Sequence, residues 1–208
     1  MVTHVRALIA LVLTLAGLSL PVTVLRAQAG RPRVAGLRTS SHLGLGYVAN
    51  IPTTFVGFSA LGITPKLFGG AGVYADIKLT TKSPGDDLYY LPGVTVNDAE
   101  VTYGDMLYEE KSDWVTVNGA LVYAVTQELA VYGGLGYSKE THYRQYFDAS
   151  QTRGNFGFYW ISDPSGSGTR INALGGALMR VTRYFVFQLG AESQPAGANV
   201  GVAITLHP

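Results

Sequence analysis

Residues 120–136 read Ala120-Leu-Val-Tyr-Ala-Val-Thr126-Gln-Glu-Leu129-Ala-Val-Tyr-Gly-Gly134-Leu-Gly136. Apolar residues alternate on both sides of a short polar connection, which is the pattern of a β-hairpin. The same layout returns in residues 177–190 and, in a weaker form, in residues 60–72. In each copy a glycine follows eight positions after the turn threonine. We therefore predict that one hairpin unit is used three times in an antiparallel meander.

The N-terminus has the layout of a cleavable secretory signal peptide. A short basic start precedes an apolar run over residues 7–20, and Ala27-Gln-Ala29 is a small-x-small cleavage site. A transmembrane helix needs about 20 apolar residues, and this run is shorter and is followed by Pro21 and Arg26. The predicted division of the chain is a signal peptide (1–29), a flexible lead-in (30–40) and one main domain (41–208).

Composition narrows the class of protein. The 208 residues include no cysteine, 26 glycines and 13 tyrosines, and only 14% are charged. A secreted chain without cysteine is not a disulfide scaffold, and it offers no cysteine for lipid attachment. Without an excess of basic residues, nothing suggests nucleic-acid binding. High glycine and tyrosine with little charge is expected of a sheet embedded in lipid.

Alternation of apolar and polar residues predicts eight strands of about 9–12 residues, the span of a tilted transmembrane strand. Two long connections separate them. One is acid-rich (82–111), and the other (145–169) carries the aromatic cluster Phe156-Gly-Phe-Tyr-Trp160 and a Ser/Gly tip at 163–168. Short turns at one end and long loops at the other are typical of outer-membrane barrels. The predicted strands cover 41–50, 55–64, 70–81, 113–125, 129 onwards, 170–181, 185–194 and 199–206.

In architecture, the chain resembles the small eight-stranded outer-membrane barrels of the outer membrane protein A/X type. The resemblance spans Ser41 to Leu206 and rests on strand number and loop asymmetry, without a shared motif. The last strand alternates Val200, Val202, Ile204 and Leu206 as the family does, but it lacks the terminal aromatic residue. The resemblance implies a monomer in the bacterial outer membrane, surrounded by lipid and lipopolysaccharide and inserted by the barrel-insertion machinery.

Unpaired backbone groups are costly in hydrocarbon, so the sheet must close, and eight strands leave an interior that side chains fill. We therefore predict a plugged lumen. Arg180 and Glu192 are both directed inward on neighbouring strands, but their distances from the shared turn do not place them opposite each other. The polar residues predicted to face the lumen are Asp76, Lys78, Asn118, Glu140, His142, Arg144, Asn172, Arg180, Gln188 and Glu192.

Two features of the loops suggest contact with other molecules. The aromatic residues Phe156, Phe158, Tyr159 and Trp160 fit either an adhesive tip or an interfacial aromatic belt. The acidic loop lacks the spaced ligands of a calcium loop, which favours a solvated surface over a metal site. We predict no metal and no cofactor.

The leading hypothesis is a structural, adhesive or surface-interaction role through the long outer loops. A first alternative is small-ligand binding or a narrow passage lined by Tyr74, Trp114, Val122 and Tyr132. A second is a lipid-modifying enzyme that uses His142, but no His-x-Ser spacing supports catalysis and we predict no enzyme. A soluble periplasmic barrel requires the opposite assignment of inner and outer faces.

Overall fold

The computed structural model describes residues 42–51, 55–63, 70–182 and 184–206, which form one closed antiparallel barrel. Each strand pairs with its sequence neighbours, and the first strand pairs with the last. The predicted eight-stranded up-and-down barrel is confirmed. The strands are β1 (His42–Ile51), β2 (Phe55–Ile63), β3 (Ala71–Thr80), β4 (Met106–Ala124), β5 (Leu129–Phe147), β6 (Phe158–Arg180), β7 (Phe185–Ser193) and β8 (Ala196–Leu206).

Two short helices lie between β3 and β4, a 3₁₀ helix over Pro84–Asp86 and a π-helix over Asp98–Tyr103. In the described parts of the chain, no helix has the length and hydropathy needed to cross a membrane. The predicted signal peptide (1–29) and lead-in (30–40) lie outside the described residues.

Side chains alternate between the two faces of the strands, as the sequence predicts. On β3, Asp76 and Lys78 are buried in the lumen, whereas Val73 and Leu79 are exposed on the outer face. The polar side of the sheet is therefore its interior, the opposite of what a soluble barrel requires. Other exposed apolar residues of the outer face are Leu45, Tyr47, Phe58, Leu121, Leu135, Tyr137, Ile171, Met179, Phe187, Leu189, Val200, Val202 and Ile204.

The repeated hairpin uses its threonine in the same way in two copies. Thr126 Oγ1 accepts hydrogen bonds from the backbone N–H groups of Glu128 and Leu129, at 3.2 and 3.0 Å. Thr182 Oγ1 accepts from the two equivalent N–H groups, at 3.2 and 3.1 Å. In both turns the threonine hydroxyl oxygen thus accepts hydrogen bonds from backbone N–H groups that follow it in the chain. The turn of the third copy lies outside the described residues.

Three strands run further than the sequence predicts. β4 begins at Met106 instead of residue 113, β5 continues to Phe147, and β6 begins at Phe158 instead of residue 170. At the end of the barrel opposite the threonine turns, β4, β5 and β6 continue to pair with one another beyond the ends of β3 and β7. We call this three-stranded sheet (residues 106–114, 140–147 and 158–172) the extension. Much of what reads as two loops is therefore strand, because cross-strand aromatic and ionic pairs stabilise these polar segments.

The predicted Ser/Gly tip is a bulge inside β6. The β5–β6 register shifts between Glu140 and His142, so that residues 164–167 stand outside the ladder. Asp163 Oδ1 accepts from the backbone N–H and hydroxyl of Ser165, at 2.9 and 2.6 Å. Ser167 Oγ accepts from the His142 N–H at 2.9 Å. Turn-forming residues here accommodate extra length within a strand instead of ending it.

Residues 81–105, which we call the strap, wrap the extension at the free edge of β6. Trp160 N–H donates to the Tyr89 carbonyl at 3.0 Å, and Leu91 N–H donates to the Trp160 carbonyl at 2.9 Å. On one face of the extension, Tyr90 contacts the Tyr143 ring edge-on. On the other face, Ala99 of the strap packs in a buried cluster with Tyr146, Tyr159 and Ile161. The acid-rich connection is therefore an ordered segment that packs on both faces of the extension.

Candidate functional site

A buried ion triad lies within the lumen. Lys78 Nζ lies 2.8 Å from Asp76 Oδ1 and 3.1 Å from Glu192 Oε2, and all three side chains are fully shielded from solvent. Asp76 and Lys78 belong to β3 and Glu192 to β7, so the contact crosses the lumen. Buried charges need additional hydrogen bonds to offset the loss of hydration.

Asparagine side chains supply those hydrogen bonds. Glu192 accepts from Asn50 Nδ2 at 2.7 Å and from Asn172 Nδ2 at 3.0 Å. Asp76 Oδ1 accepts from Asn118 Nδ2 at 2.8 Å. These three amides come from β1, β6 and β4, so one polar network joins five strands of the barrel.

A pair of tyrosines connects this network to the apolar part of the lumen. Tyr74 donates to Asp76 Oδ2 at 2.7 Å, and Gln188 Nε2 donates to the hydroxyls of Tyr74 and Tyr132, at 2.7 and 3.1 Å. The two rings stack with centroids 4.9 Å apart. Tyr74, Tyr132 and Val122 belong to one packed core and do not line a passage. Trp114, the fourth residue of the passage hypothesis, borders a cavity beside the strap instead.

The structure brings six of the ten residues predicted to face the lumen into one hydrogen-bonded network, namely Asp76, Lys78, Asn118, Asn172, Gln188 and Glu192. Arg180 is buried but stands apart, since it pairs in register with Val186 whereas Glu192 pairs with Leu174. Glu140, His142 and Arg144 lie in the extension and form a second polar cluster. Period-2 parity gives the face of a residue but not its height along the barrel.

Arg144 is the centre of that second cluster. Its Nε lies 2.9 Å from Asp163 Oδ2 and 3.2 Å from Glu110 Oε1, and its Nη1 lies 3.3 Å from Glu100 Oε1 of the strap. Burial raises the pKa of Asp163, but hydrogen bonds from Ser165 and the charge of Arg144 outweigh burial and leave this pKa below its ordinary value. The cluster therefore ties the β6 bulge and the strap to β5.

The structure also brings a serine to His142, although the sequence has no His-x-Ser spacing. Ser112 and His142 face each other in the β4–β5 register, and Ser112 Oγ lies 3.1 Å from His142 Nδ1. When Ser112 donates its single hydroxyl hydrogen to Glu140 Oε1, at 2.7 Å, it can only accept a hydrogen bond from His142. A nucleophilic serine needs the reverse polarity, in which the histidine accepts that hydrogen. The arrangement fits a structural hydrogen-bond chain.

Of the four predicted aromatic residues, Tyr159 is buried, whereas Phe156, Phe158 and Trp160 border cavities at the surface. Tyr159 is fully buried, and its hydroxyl donates to Asp105 Oδ2 at 2.6 Å. Burial raises the pKa of this hydroxyl, and the Asp105 carboxylate raises it further. Phe156 is 79% exposed, and Phe158 packs against Phe147 and Tyr108. Trp160 is covered on one face by Lys111, whose Nζ lies 5.1 Å from the ring centroid.

Phe156, Phe158 and Trp160 border two adjoining cavities on the extension, which we call together the extension cleft. The cavities have volumes of about 440 and 640 Å³ and share Asp87 and Trp160. The sequence did not indicate the other lining residues, because the strap, the 148–157 loop and five strands (β2 to β6) contribute to the cleft. The smaller cavity is also lined by Tyr89, Tyr108, Gln145 and Asn155, and the larger by Phe55, Thr80, Lys82, Ser83, Pro84, Lys111, Ser112, Asp113 and Trp114.

The acidic residues do not assemble into a metal site in the described part of the chain, where no group of three or more His, Asp or Glu side chains is placed to hold a metal ion. Asp148, for example, accepts hydrogen bonds from Ser150, Thr152 and Arg153 in its own loop. These contacts, with those from Ser150 the largest, hold the pKa of Asp148 well below its ordinary value.

The closed eight-stranded sheet, with a polar packed lumen and an apolar exterior, has the fold of the small outer-membrane β-barrels. Among solved structures, it is similar to Ail, the attachment invasion locus protein of Yersinia pestis, in complex with the heparin analogue sucrose octasulfate (13% identity, TM-score 0.41, 80% of this chain and 95% of that chain).

A major outer membrane protein from Thermus thermophilus is also similar (12% identity, TM-score 0.41, 80% of this chain and 100% of that chain). A de novo designed transmembrane β-barrel is a third case (11% identity, TM-score 0.37, 80% of this chain and 95% of that chain). No protein-family model and no curated protein matches the sequence.

Proposed function

We propose that the protein is a bacterial outer-membrane β-barrel that uses its extension to contact molecules outside the cell. The observation that carries the proposal is the change in outer-face character along β5. Outward-facing residues of β5 are apolar from Leu129 to Tyr137, and the next one is the exposed Lys139. This apolar stretch matches the 9–11 residues that a tilted strand needs to span a membrane.

The part of β5 from Lys139 to Phe147 then stands outside the hydrocarbon. At about 3.3 Å per residue, it carries the extension roughly 30 Å along the strand direction. Together with the strap, this sheet presents ordered polar and aromatic surface away from the lipid. Lipid and lipopolysaccharide are the expected partners of the outer face, and the barrel-insertion machinery is the expected partner during assembly.

The packed lumen supports a role exerted at the surface over one exerted by transport. The ion triad and its amides fill the interior with side chains that already satisfy one another. A solute would have to displace several buried hydrogen bonds to pass, each of which costs about 1 kcal/mol or more to break. The extension, by contrast, offers open cavities.

Because the chain has no cysteine, single-cysteine labelling tests this orientation directly. We expect Leu88→Cys on the strap to react in intact Gram-negative cells with a maleimide attached to a polyethylene glycol too large for porins. Gln127→Cys in the opposite turn should react only after the outer membrane is opened, and Leu135→Cys in the apolar band should react in neither case. Labelling of Gln127→Cys in intact cells would contradict the proposal, as would recovery of the protein from the soluble periplasm.

The adhesive part of the proposal is tested by removing the loop at the tip of the extension. Replacing residues 148–157 with a two-residue turn removes the tip that joins Phe147 to Phe158 and keeps the barrel. Cells that produce this variant should adhere less to surfaces than cells that produce the full chain, at equal amounts of heat-modifiable protein in the outer membrane. Equal adherence of the two cell populations would remove the role assigned to the extension.

A further inference from the structure

The extension cleft has the chemical character of a site for a ring-shaped polar ligand. One of its two cavities is bordered by the aromatic residues Tyr89, Tyr108, Phe156 and Phe158, and beside them stand Asp87, Gln145 and Asn155. Flat aromatic faces attract C–H groups, and carboxylates and amides accept or donate hydrogen bonds. A sugar ring presents these two properties, an apolar C–H face and a rim of hydroxyl groups.

An unpaired acceptor in the second cavity points to a ligand that donates hydrogen bonds. Asp113 borders this cavity, and its Oδ1 is buried without a hydrogen-bond partner, while its Oδ2 accepts from Ser83. A buried carboxylate oxygen without a hydrogen-bond partner is energetically unfavourable. A ligand hydroxyl placed beside Oδ1 would restore that bond. Burial also raises the pKa of Asp113, and the hydrogen bond from Ser83 offsets this effect only in part.

The charges of the cleft favour a neutral ligand. Lys82 and Lys111 are matched by Asp87 and Asp113 among the lining residues. The Lys111 ammonium already lies 3.1 Å from Glu109 and above the Trp160 ring. A sulfated or carboxylated ligand would therefore meet two aspartates that repel it, while one of the two lysines is already paired.

We propose that the extension cleft binds neutral oligosaccharides. Each of its two cavities lies within the 300–1,000 Å³ typical of ligand sites, and because they share Asp87 and Trp160 they suit a chain of several sugar units. The proposal deepens the surface-contact function proposed above, and it rests on that function only for the exposure of the cleft outside the cell.

The chain carries its own reporter of cleft occupancy. It has two tryptophans, and both Trp114 and Trp160 border the larger cavity. The refolded full chain, kept in an amine-oxide detergent without a sugar headgroup, is first applied to an array of neutral and anionic glycans. The strongest neutral glycan, together with maltohexaose and cellohexaose, is then titrated while tryptophan emission is recorded.

We expect saturable binding of a neutral oligosaccharide with a change in tryptophan emission. Phe156→Ala and Tyr108→Ala should each weaken this binding about tenfold by removing a stacking face. Leu88→Ala is the control, since Leu88 is 93% exposed on the strap between two lining residues but borders neither cavity. Unchanged heat-modifiable migration confirms that every variant is folded.

Three outcomes would overturn the proposal: no neutral glycan bound by folded protein, binding confined to sulfated or carboxylated glycans, or neutral binding that Phe156→Ala and Tyr108→Ala leave unchanged. The cysteine-labelling and adherence experiments do not depend on sugar binding. Adherence without glycan binding would therefore reject the ligand class and leave the surface role standing.

Discussion

At the level of single residues, Lys78 supplies the positive charge of the buried triad in the lumen. It is the only cation of a triad whose two carboxylates, Asp76 and Glu192, are shielded from water. The asparagine amides complete the hydrogen bonds of the carboxylates but add no charge. Removing the cation would leave two buried negative charges facing each other, which is far less favourable than breaking an exposed pair.

We therefore expect Lys78→Met to lower the free energy of unfolding by about 3–5 kcal/mol, measured by urea unfolding after refolding into lipid vesicles. Lys111→Met is the matched control, because Lys111 and Glu109 form an exposed pair whose loss costs about 0–1 kcal/mol. A similar small effect of both substitutions would show that the triad does not hold the lumen together.

At the level of elements, the β6 bulge and the strap shape the extension. Asp163 forms the start of the bulge and, through Arg144, reaches the strap residue Glu100. Gly166 of the bulge lies against the His142 ring, where an added Cβ would approach ring atoms to 2.8 Å. Bulge, strap and β5 therefore hold one another in place through side chains from three separate segments.

Because of this arrangement, we expect the stability of the folded protein to decrease at low pH, where Asp163 becomes protonated. The folded-state pKa of Asp163 lies below its ordinary value, so its charge stabilises the fold above about pH 4, and this contribution is lost as pH falls through the lower folded-state pKa. At pH 7, Asp163→Asn should unfold at a lower urea concentration than wild type. Below about pH 4 the difference should narrow.

Glu109→Gln serves as the control for this pH experiment, because Glu109 lies on an exposed part of β4 and pairs with Lys111 only at the surface. It should leave the urea midpoint nearly unchanged at pH 7. A gap between wild type and Asp163→Asn that stays constant from pH 7 to pH 3 would mean that the Asp163 carboxylate does not act through its charge.

The same elements show where prediction from sequence succeeds and where it stops. Thr126 and Thr182 were recognisable because their hairpins depend on local alternation and turn chemistry alone. The sequence of the bulge at 164–167 predicts a loop tip, because Pro, Ser and Gly occur in both kinds of structure. The Ser112–His142 contact was missed because it depends on the β4–β5 register, which spacing along one strand does not reveal.

At the level of the whole molecule, the barrel has three zones along its axis: the threonine turns, an apolar belt and the polar extension. The belt was predictable because period-2 alternation assigns each side chain to a face. The extension was not, because its strands are stabilised by partners far apart in the chain, such as Tyr146 with Glu100 and Tyr159 with Asp105. The extension cleft depends on that arrangement and was equally hidden.

The belt makes a prediction about where charge is tolerated. Leu135 lies on the outer face of β5 and is 64% exposed. Leu135 lies between the middle and the outer end of the apolar stretch, so Leu135→Lys should cost about 1–3 kcal/mol, because the cost of a buried lysine falls from the bilayer midplane to the interfaces; urea unfolding in lipid vesicles measures it. Leu88→Lys on the strap, 93% exposed, should have almost no effect. If both substitutions changed the free energy of unfolding equally, the apolar belt would not be in contact with lipid.

The strap has one more consequence, for neighbouring copies in a crowded membrane. Beyond Leu174, β6 has no β7 partner, and an unpaired strand edge is a template on which another chain can add a strand. Pairing of Tyr89 and Leu91 with Trp160 occupies part of that edge, and the bulge with Pro164 interrupts another part. We therefore expect the β6 edge not to pair with a strand of a neighbouring barrel, even at high surface density.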